Sequence, residues 1–527
     1  MRDAPGASPL RPRLPRPTSR DVVAGLSVAL VLLPQAVAYA VLAGMPPVTG
    51  LVVGSVATVA AVPFASSPFL QTGPVAITGL LVFGALSPLA EVASAEYVGL
   101  AAVLALMVGV VRLAIGATRT GGIAYLMSQP VMAGFVPAAA VVIAVSQAPA
   151  LLGVAVDGRG PATILPALVD PGAWDLHALA IGLLVVAVMT FGRRAGALFP
   201  HVLVAVGVGL GVALLTGFDG DVVGEMPAML PGLVLDLPYQ RAPELLVSAL
   251  VIALVGFAEV AAIARTFARR SRTRWDADRE FVSQGVANVA VGLVGGFPVG
   301  GSFSRSAVAH GAGARTAWTG AFAGLVLLAA TPLVVLFEQL PSAVLAGVIV
   351  AAVAKLMRPT ELLELRRLSR QQFAVALVTF VLTLVIAPQI QYAVLVGVLL
   401  SIGAHLRREL SIAAPSWVSD DVLHVRPVGV LFFGSAHRLG DQVEDCLADH
   451  PEVGHVTVHL DRLGRVDVTG AQSLRQVLDD LHEQGTTTSV VDLSPTGAKI
   501  VQRVLSDPAY GVDAGSRAVD LPMPGQL

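Results

Sequence analysis

Apolar runs long enough to cross a bilayer follow one another from about residue 22 to residue 406. A hydrocarbon core of ~30 Å needs helical spans of ~17–25 residues. On that rule the pattern predicts fourteen membrane segments. The first seven lie near 22–41, 48–64, 73–90, 97–116, 129–148, 175–192 and 200–216. The second seven lie near 245–264, 280–296, 302–313, 317–337, 342–357, 372–388 and 391–406. Segments three and ten are too short or too broken to be plain spans. Val22–Ala43 runs on into further apolar sequence, which weighs against reading Ala36-Val37-Ala38 as a signal cleavage site.

After Arg408 the period changes. Residues 411–418 read as a linker. Short β-like runs follow at Val422–Arg426, Val428–Phe433, His455–Leu460 and Thr487–Leu493. They alternate with helical patterns at His437–Asp449, Ala471–Gln484 and Gly497–Leu505, which argues a small α/β domain over residues 419–510. Residues 1–20 are rich in Pro and Arg without apolar periodicity, and read as a disordered cytoplasmic tail. Residues 511–527 read as a C-terminal tail, and 21–410 as the membrane domain.

Composition agrees with the pattern. Of 527 residues, 55% are apolar and 13% charged, against ~25% charged in a soluble protein. Mean hydropathy is +0.76, so the chain reads as a polytopic α-helical membrane protein. One cysteine, Cys446, leaves no internal disulfide and no thiolate metal site. A net charge of −2 gives no case for nucleic acid as a partner. Lys355 and Lys499 are the only lysines and neither follows a glycine, so the Walker-type loop of ATP-driven pumps is absent. His-Glu-x-x-His and Gly-x-Ser-x-Gly are absent too. The residues point to no enzyme, no metal and no cofactor.

Loop charges set the orientation. Alternate loops hold Arg119, Arg193 and Arg194; Arg265, Arg269, Arg270, Arg272 and Arg274; Lys355, Arg358, Arg366, Arg367 and Arg370; then Arg407 and Arg408. The loops between them hold Glu91, Glu96, Asp157, Asp170, Asp219, Asp221, Glu225 and Asp236. This is the positive-inside asymmetry, and it predicts both termini and the small domain in the cytoplasm.

Segments one and eight, and three and ten, correspond at an offset of about 225 residues. Seven segments is an odd number, so the second half is expected inverted. Segment three starts through Gln71-Thr72-Gly73-Pro74-Val75-Ala76 and segment ten through Gly300-Gly301-Ser302-Phe303-Ser304-Arg305. Breaks at matching places in inverted halves point to a substrate site at the midplane. Irregular backbone at that depth is tolerated where it is buried or lines a cavity. Two helix N-termini would offer free N–H groups and positive dipole ends to an anion. Ser302 and Ser304 add hydroxyls, and Arg305 adds the only cation in the cavity entrance formed by segment ten. Gly73, Gly300 and Gly301 admit close approach of the backbone to a ligand. The plainer alternative is that Gly and Pro serve helix packing.

Glu259 lies inside an apolar segment with no cation nearby in sequence. Such a charge costs ~2.5–3.5 kcal/mol, so a proton, an ion or an interhelical hydrogen bond must accompany it. Gln35 and Tyr39 share a helix face beyond Pro34; core packing and ligand contact both fit them. His310 reads as structural.

At these residues the chain resembles the SulP anion-transporter family, the sulfate permeases and their animal relatives. The resemblance rests on Asp21-Val22-Val23-Ala24-Gly25-Leu26, Leu33-Pro34-Gln35-Ala36-Val37-Ala38-Tyr39-Ala40 and Gly73-Pro74-Val75-Ala76. It rests further on Gly295-Gly296-Phe297-Pro298 and on Gly301-Ser302-Phe303-Ser304-Arg305-Ser306-Ala307-Val308 with Gly313-Ala314-Arg315-Thr316. In the soluble part, Leu431-Phe432-Phe433-Gly434-Ser435-Ala436 and Asp467-Val468-Thr469-Gly470 resemble the family's STAS domain.

The resemblance implies fourteen segments in two inverted repeats, a homodimer and a cytoplasmic STAS domain. A core of segments one to four and eight to eleven would carry the anion between segments three and ten. It would move against a gate domain as an elevator. Gln35, Tyr39, Gly73, Pro74, Val75, Ala76, Ser302, Phe303, Ser304 and Arg305 would form the substrate site. Glu259 stands where relatives place an acidic coupling residue, and a Glu there is linked to proton rather than sodium coupling. Gly300 departs from an expected hydroxyl residue and Ala309 from an expected Asn. Thr469 matches a phosphorylated position in signalling STAS proteins; an N-cap for the following helix is the plainer reading. The expected function is proton-coupled secondary active transport of a small anion across the cell's inner (plasma) membrane, with sulfate favoured over bicarbonate and dicarboxylates. The alternatives are an anion channel or exchanger without cation coupling, or a membrane-anchored STAS regulatory module.

Overall fold

The computed structural model describes residues 10, 15–126, 128–156, 161–196, 199–226, 231–357, 360–409, 412–493 and 498–513. Most of the expected tails 1–20 and 511–527, together with Asp157 and Arg358, lie outside these residues. The chain divides into two units, Met1–Ser401 and Ile402–Leu527.

The first unit is helical. Its first half contains α1 (Ser19–Leu42), α2 (Thr49–Ala61), α3 (Ala76–Leu86), α4 (Ala95–Ala117), α5 (Gln129–Leu152), α6 (Pro161–Leu168), α7 (Leu176–Gly192) and α8 (His201–Thr216). Its second half contains α9 (Ala242–Ser271), α10 (Ala277–Leu293), α11 (Phe303–Gly311), α12 (Trp318–Ala329), α13 (Ser342–Val353), α14 (Thr360–Leu368), α15 (Arg370–Ile386) and α16 (Ile390–Glu409). Among the described residues, six helical stretches are long and apolar enough to cross a membrane, and six more are apolar but shorter.

Helix α1 begins at Ser19, inside the stretch expected as tail. Thr18 and Asp21 form a reciprocal capping box there, which satisfies two N–H groups at the helix start. Asp21 also accepts from the backbone N–H groups of Arg315 (2.8 Å) and Thr316 (2.9 Å), tying the start of α1 to the residues before α12.

Packing sorts the helices into two groups. Helices α1 and α2 pack on α12, α2 and α4 on α10, and α4 on α9. In the other group α5 packs on α13 and α15, and α7 on α8 and α13. The α4–α10 contact is close because glycines face it. A Cβ at Gly109 would lie 2.7 Å from the Val289 nitrogen, and one at Gly285 would lie 2.8 Å from the Leu113 nitrogen. Small residues at such contacts let membrane helices approach backbone to backbone. Leu183, Leu215, Leu246, Val385 and Leu399 turn outward, exposed, as side chains against hydrocarbon can.

The two breaks meet. Strands β1 (Thr72–Gly73) and β2 (Gly300–Gly301) pair antiparallel, Thr72 opposite Gly301 and Gly73 opposite Gly300. The short ladder sets the N-termini of α3 and α11 side by side.

The second unit is α/β. Strands β3 (Ser416–Ser419), β4 (Val422–Val425), β6 (His455–His459) and β8 (Thr487–Val491) form one sheet in that order. Strands β5 (Gly429–Leu431) and β7 (Leu463–Val466) pair separately. Helices α17 (Phe433–Asp449), α18 (Val468–Glu483) and α19 (Ala498–Val504) follow the strands. Leu423, Val425, Val456, Val458, Leu474 and Leu478 belong to the core. The expected linker 411–418 needs correction at its end, where Ser416–Val418 belong to β3. Strands β3 and β4 join through Asp420 and Asp421, both at positive φ, the two-residue hairpin geometry that Asp tolerates. Trp417 then stacks on His424, ring centroids 5.1 Å apart.

Candidate functional site

Each break is fixed from behind by α10. Gln284 donates from Nε2 to Thr72 Oγ1 at 2.7 Å. Asn288 accepts from the Val299 N–H at 3.0 Å and donates to its carbonyl at 3.3 Å. Ser306 Oγ accepts from the Gln71 N–H (3.0 Å), and the Ser302 N–H donates to the Gln71 carbonyl (3.0 Å). The polar backbone that the breaks free is thus satisfied by side chains and by the opposite break.

Helix α3 starts without a side-chain cap: Val75 is its N-cap, extended at φ −143°. Helix α11 starts on Ser302, whose Oγ accepts from the Arg305 N–H at 3.4 Å. Arg305 is wholly buried. Its Nη1 donates to Gln35 Oε1 at 3.3 Å, while Nε and Nη2 have no hydrogen-bond partner. Buried donors left without acceptors cost ~1–3 kcal/mol each, and an anion is what such donors suit.

A cavity of about 520 Å³ lies in front of these helix starts, within the ordinary range for a ligand pocket. Gln35 and Tyr39 of α1, Val75 and Ala76 at α3, Glu259 of α9, and Ser302, Phe303 and Ser304 at α11 line it. Eight expected site residues therefore share one wall system, Glu259 among them. Gln35 and Tyr39 lie one turn apart and both reach the cavity, which favours contact over simple packing. Glu259 lines the cavity and forms no hydrogen bond or ion pair among the described residues.

Three expectations need correction. Gly73 and Pro74 lie behind the lining, not on it. Arg305 is also not at the cavity entrance: its guanidinium turns back toward Gln35 and Gly73, where a Cβ would lie 3.3 Å from Nη2. The cations on the lining are instead Arg193 and Lys355, with His201 beside them. These come from the ends of α7, α13 and the start of α8. Arg193 is anchored by a 2.9 Å bond from Nη2 to the Ala351 carbonyl. In sequence they look like loop cations; only the packing brings them to the cavity.

Thr469 is exposed at the second residue of α18. It is not the N-cap: Asp467 is, accepting from the Gly470 N–H at 2.6 Å. His310 is held by Ser271 at 3.1 Å. Among the described residues, no group of three His, Cys, Asp or Glu could hold a metal ion.

Two broken helices thus meet over a cavity inside a helical unit of several apolar spans. The sulfate permease family matches residues 19–379 and the STAS domain matches residues 416–507. The chain belongs to the sulfate permease family, and a STAS domain follows its permease domain. It is 31% identical to sulfate transporter 4.1, chloroplastic, of Arabidopsis thaliana over 72% of this chain and 57% of that one. It is 33% identical to a probable sulfate transporter of Mycobacterium tuberculosis over 77% of this chain and 73% of that one. The match spans somewhat over half the length of the plant relatives, 57% and 58%. Its fold is similar to the murine solute carrier 26 family member A9 anion transporter in the inward-facing state, with a TM-score of 0.82, 20% identity and coverage of 95% and 90%. It is also similar to the transmembrane domain of a cyanobacterium bicarbonate transporter, BicA, with a TM-score of 0.64, 23% identity and coverage of 75% and 99%.

Proposed function

We propose that the chain is a secondary active transporter that carries a small anion between the starts of α3 and α11, with proton coupling through Glu259. The observation that carries this reading is the buried Arg305 guanidinium, two nitrogens unpartnered, beside two helix N-termini at a cavity. Sulfate leads as substrate because relatives named as sulfate transporters match across most of this chain; bicarbonate and dicarboxylates suit the same donors. The segments are read as fourteen, in two inverted repeats, with a core moving against a gate as an elevator. The denser packing within each helix group than between the groups supports that division. A homodimer in the inner (plasma) membrane, with both termini and the STAS domain cytoplasmic, completes the reading. The orientation follows the charged loops, and the dimer follows the family resemblance.

Glu259 faces the cavity with no basic side chain hydrogen-bonded to it. A proton on it removes one charge from the loaded carrier, which lowers the cost of moving that carrier through the membrane field. Gly300 brings no hydroxyl to the site, so sodium is expected to matter little. At α18, a phosphate on exposed Thr469 would add nearly two negative charges at a helix start, where they are favoured.

Uptake of radiolabelled anions into proteoliposomes, with and without proton and sodium gradients, tests the proposal. Glu259→Gln mimics the protonated carboxyl. It should retain anion binding and exchange while losing acceleration by external acid. A Gln variant that still accumulates anion in response to acid, or a wild type driven by sodium at constant pH, would refute proton coupling through Glu259. Folded, inserted protein that transports nothing would favour the STAS regulatory module instead.

A further inference from the structure

Behind the paired breaks sits a second arginine. Arg112 lies toward the end of α4 with its side chain wholly buried. A buried guanidinium needs acceptors for its N–H groups and, in the usual case, a carboxylate for its charge. Arg112 has only the acceptors. Nε donates to the Ala253 carbonyl at 3.2 Å, Nη2 to that of Ile252 at 3.1 Å, and Nη1 to that of Val299 at 2.9 Å. Among the described residues no carboxylate pairs with it.

Its place ties it to both breaks. Val299 immediately precedes β2, which leads into α11. A Cβ at Gly256 would lie 2.6 Å from Nη2, and 3.6 Å from Thr78 Oγ1 in the first turn of α3. The guanidinium therefore grips the backbone entering one broken helix and faces the first turn of the other. Carbonyl dipoles hold it there without neutralising it.

We propose that Arg112 is a charge-selectivity residue, a permanent positive charge mounted behind the anion seat that favours doubly over singly charged anions. The inference rests on the reading that the anion sits at the breaks. When Glu259 carries a proton, Arg112 adds its charge to those of Arg305 and of Arg193 and Lys355 on the cavity lining. Coulomb energy is proportional to the product of the charges. At one distance a dianion therefore gains twice what a monoanion gains, whereas a purely structural strut would help both alike.

Sulfate and perchlorate share a tetrahedral shape and differ in charge, so they make the test. Purified full-length protein is assayed by competition against radiolabelled sulfate at constant ionic strength. Arg112→Gln should lower sulfate affinity by about the square of its effect on perchlorate, roughly tenfold against threefold. Arg112→Lys retains the charge and should retain the ratio. A folded Arg112→Gln protein with the wild-type ratio overturns the proposal. So does a folded Arg112→Lys protein whose ratio falls to that of Arg112→Gln; where Arg112→Gln fails to insert, Arg112→Met carries the same test. Unchanged sulfate binding in Arg305→Ala would instead bring down the anion seat itself, a separate failure.

Discussion

The starts of α3 and α11 are the same backbone device carrying different side chains. Each follows a two-residue strand, and the strands pair residue for residue. At α3 the flanking residues are Pro74, Val75 and Ala76, the helix is buried throughout, and no side chain caps it. At α11 a serine caps the helix and Arg305 stands in its first turn. In the proposed reading the backbone of both breaks shapes the seat, while of the two helix starts only α11 brings a charge. An anion held this way meets free N–H groups from α3 and a guanidinium from α11.

The largest effect expected is at the charged side. Arg305→Ala removes a charge-assisted donor and should weaken anion binding by roughly 1.5–3 kcal/mol, measured by equilibrium binding on purified protein. Unchanged affinity would make both starts equal as pure backbone sites.

The next prediction compares the two glycines that face each other in the ladder. Gly73 has φ +153°, and a Cβ there meets Arg305 Nη2 at 3.3 Å. Gly300 is not in that region, and its Cβ would meet Val75 Cγ2 at 3.2 Å and Thr78 Oγ1 at 3.4 Å. Gly73→Ala should therefore cost about 1–3 kcal/mol in strain and displace the guanidinium. Gly300→Ala should cost less, in both thermal stability and affinity. The reverse order would show that the apolar side, not the arginine side, is the tighter one.

The breaks were legible because their signal is local. Gly and Pro interrupt apolar runs at matching places, and Ser302 through Arg305 put polar atoms where a span should have none. Glu259 was legible for the same reason. Arg193, His201 and Lys355 were not, because each sits at a helix end, where Arg193 and Lys355 need no explanation beyond the charge rule for loops and a histidine draws no notice. The coming together of α7, α8 and α13 has no counterpart in local pattern. Arg112, Gln284 and Asn288 did carry a signal, as polar residues inside the apolar stretches 97–116 and 280–296. Their acceptors lie about 140 to 212 residues away for Arg112 and Gln284, so the signal marks a buried polar group without naming its partner. In the small domain, β3 was missed because Pro415 and the short polar run around it look like a linker. The hairpin through Asp420 and Asp421 is what makes those residues a strand.

The smallest expected effect is the most direct test of the difference between the two starts. Val75→Thr keeps the branched shape at the uncapped start and adds a hydroxyl at the N-cap position. A capping hydroxyl there accepts an N–H of the first turn and stabilises a helix by ~0.5–2 kcal/mol in general. If the first-turn N–H groups of α3 serve the anion, the added oxygen competes for one of them. Thermal stability should then hold or rise while affinity falls about threefold, less than one neutral hydrogen bond is worth at the upper end. Opposite movement of the two measurements is the informative result, since simple damage to packing lowers both. Tighter binding by the Thr variant would mean that its hydroxyl donates to the anion. The start of α3 would then have wanted a polar residue all along, and the division into a backbone side and a charged side would fall.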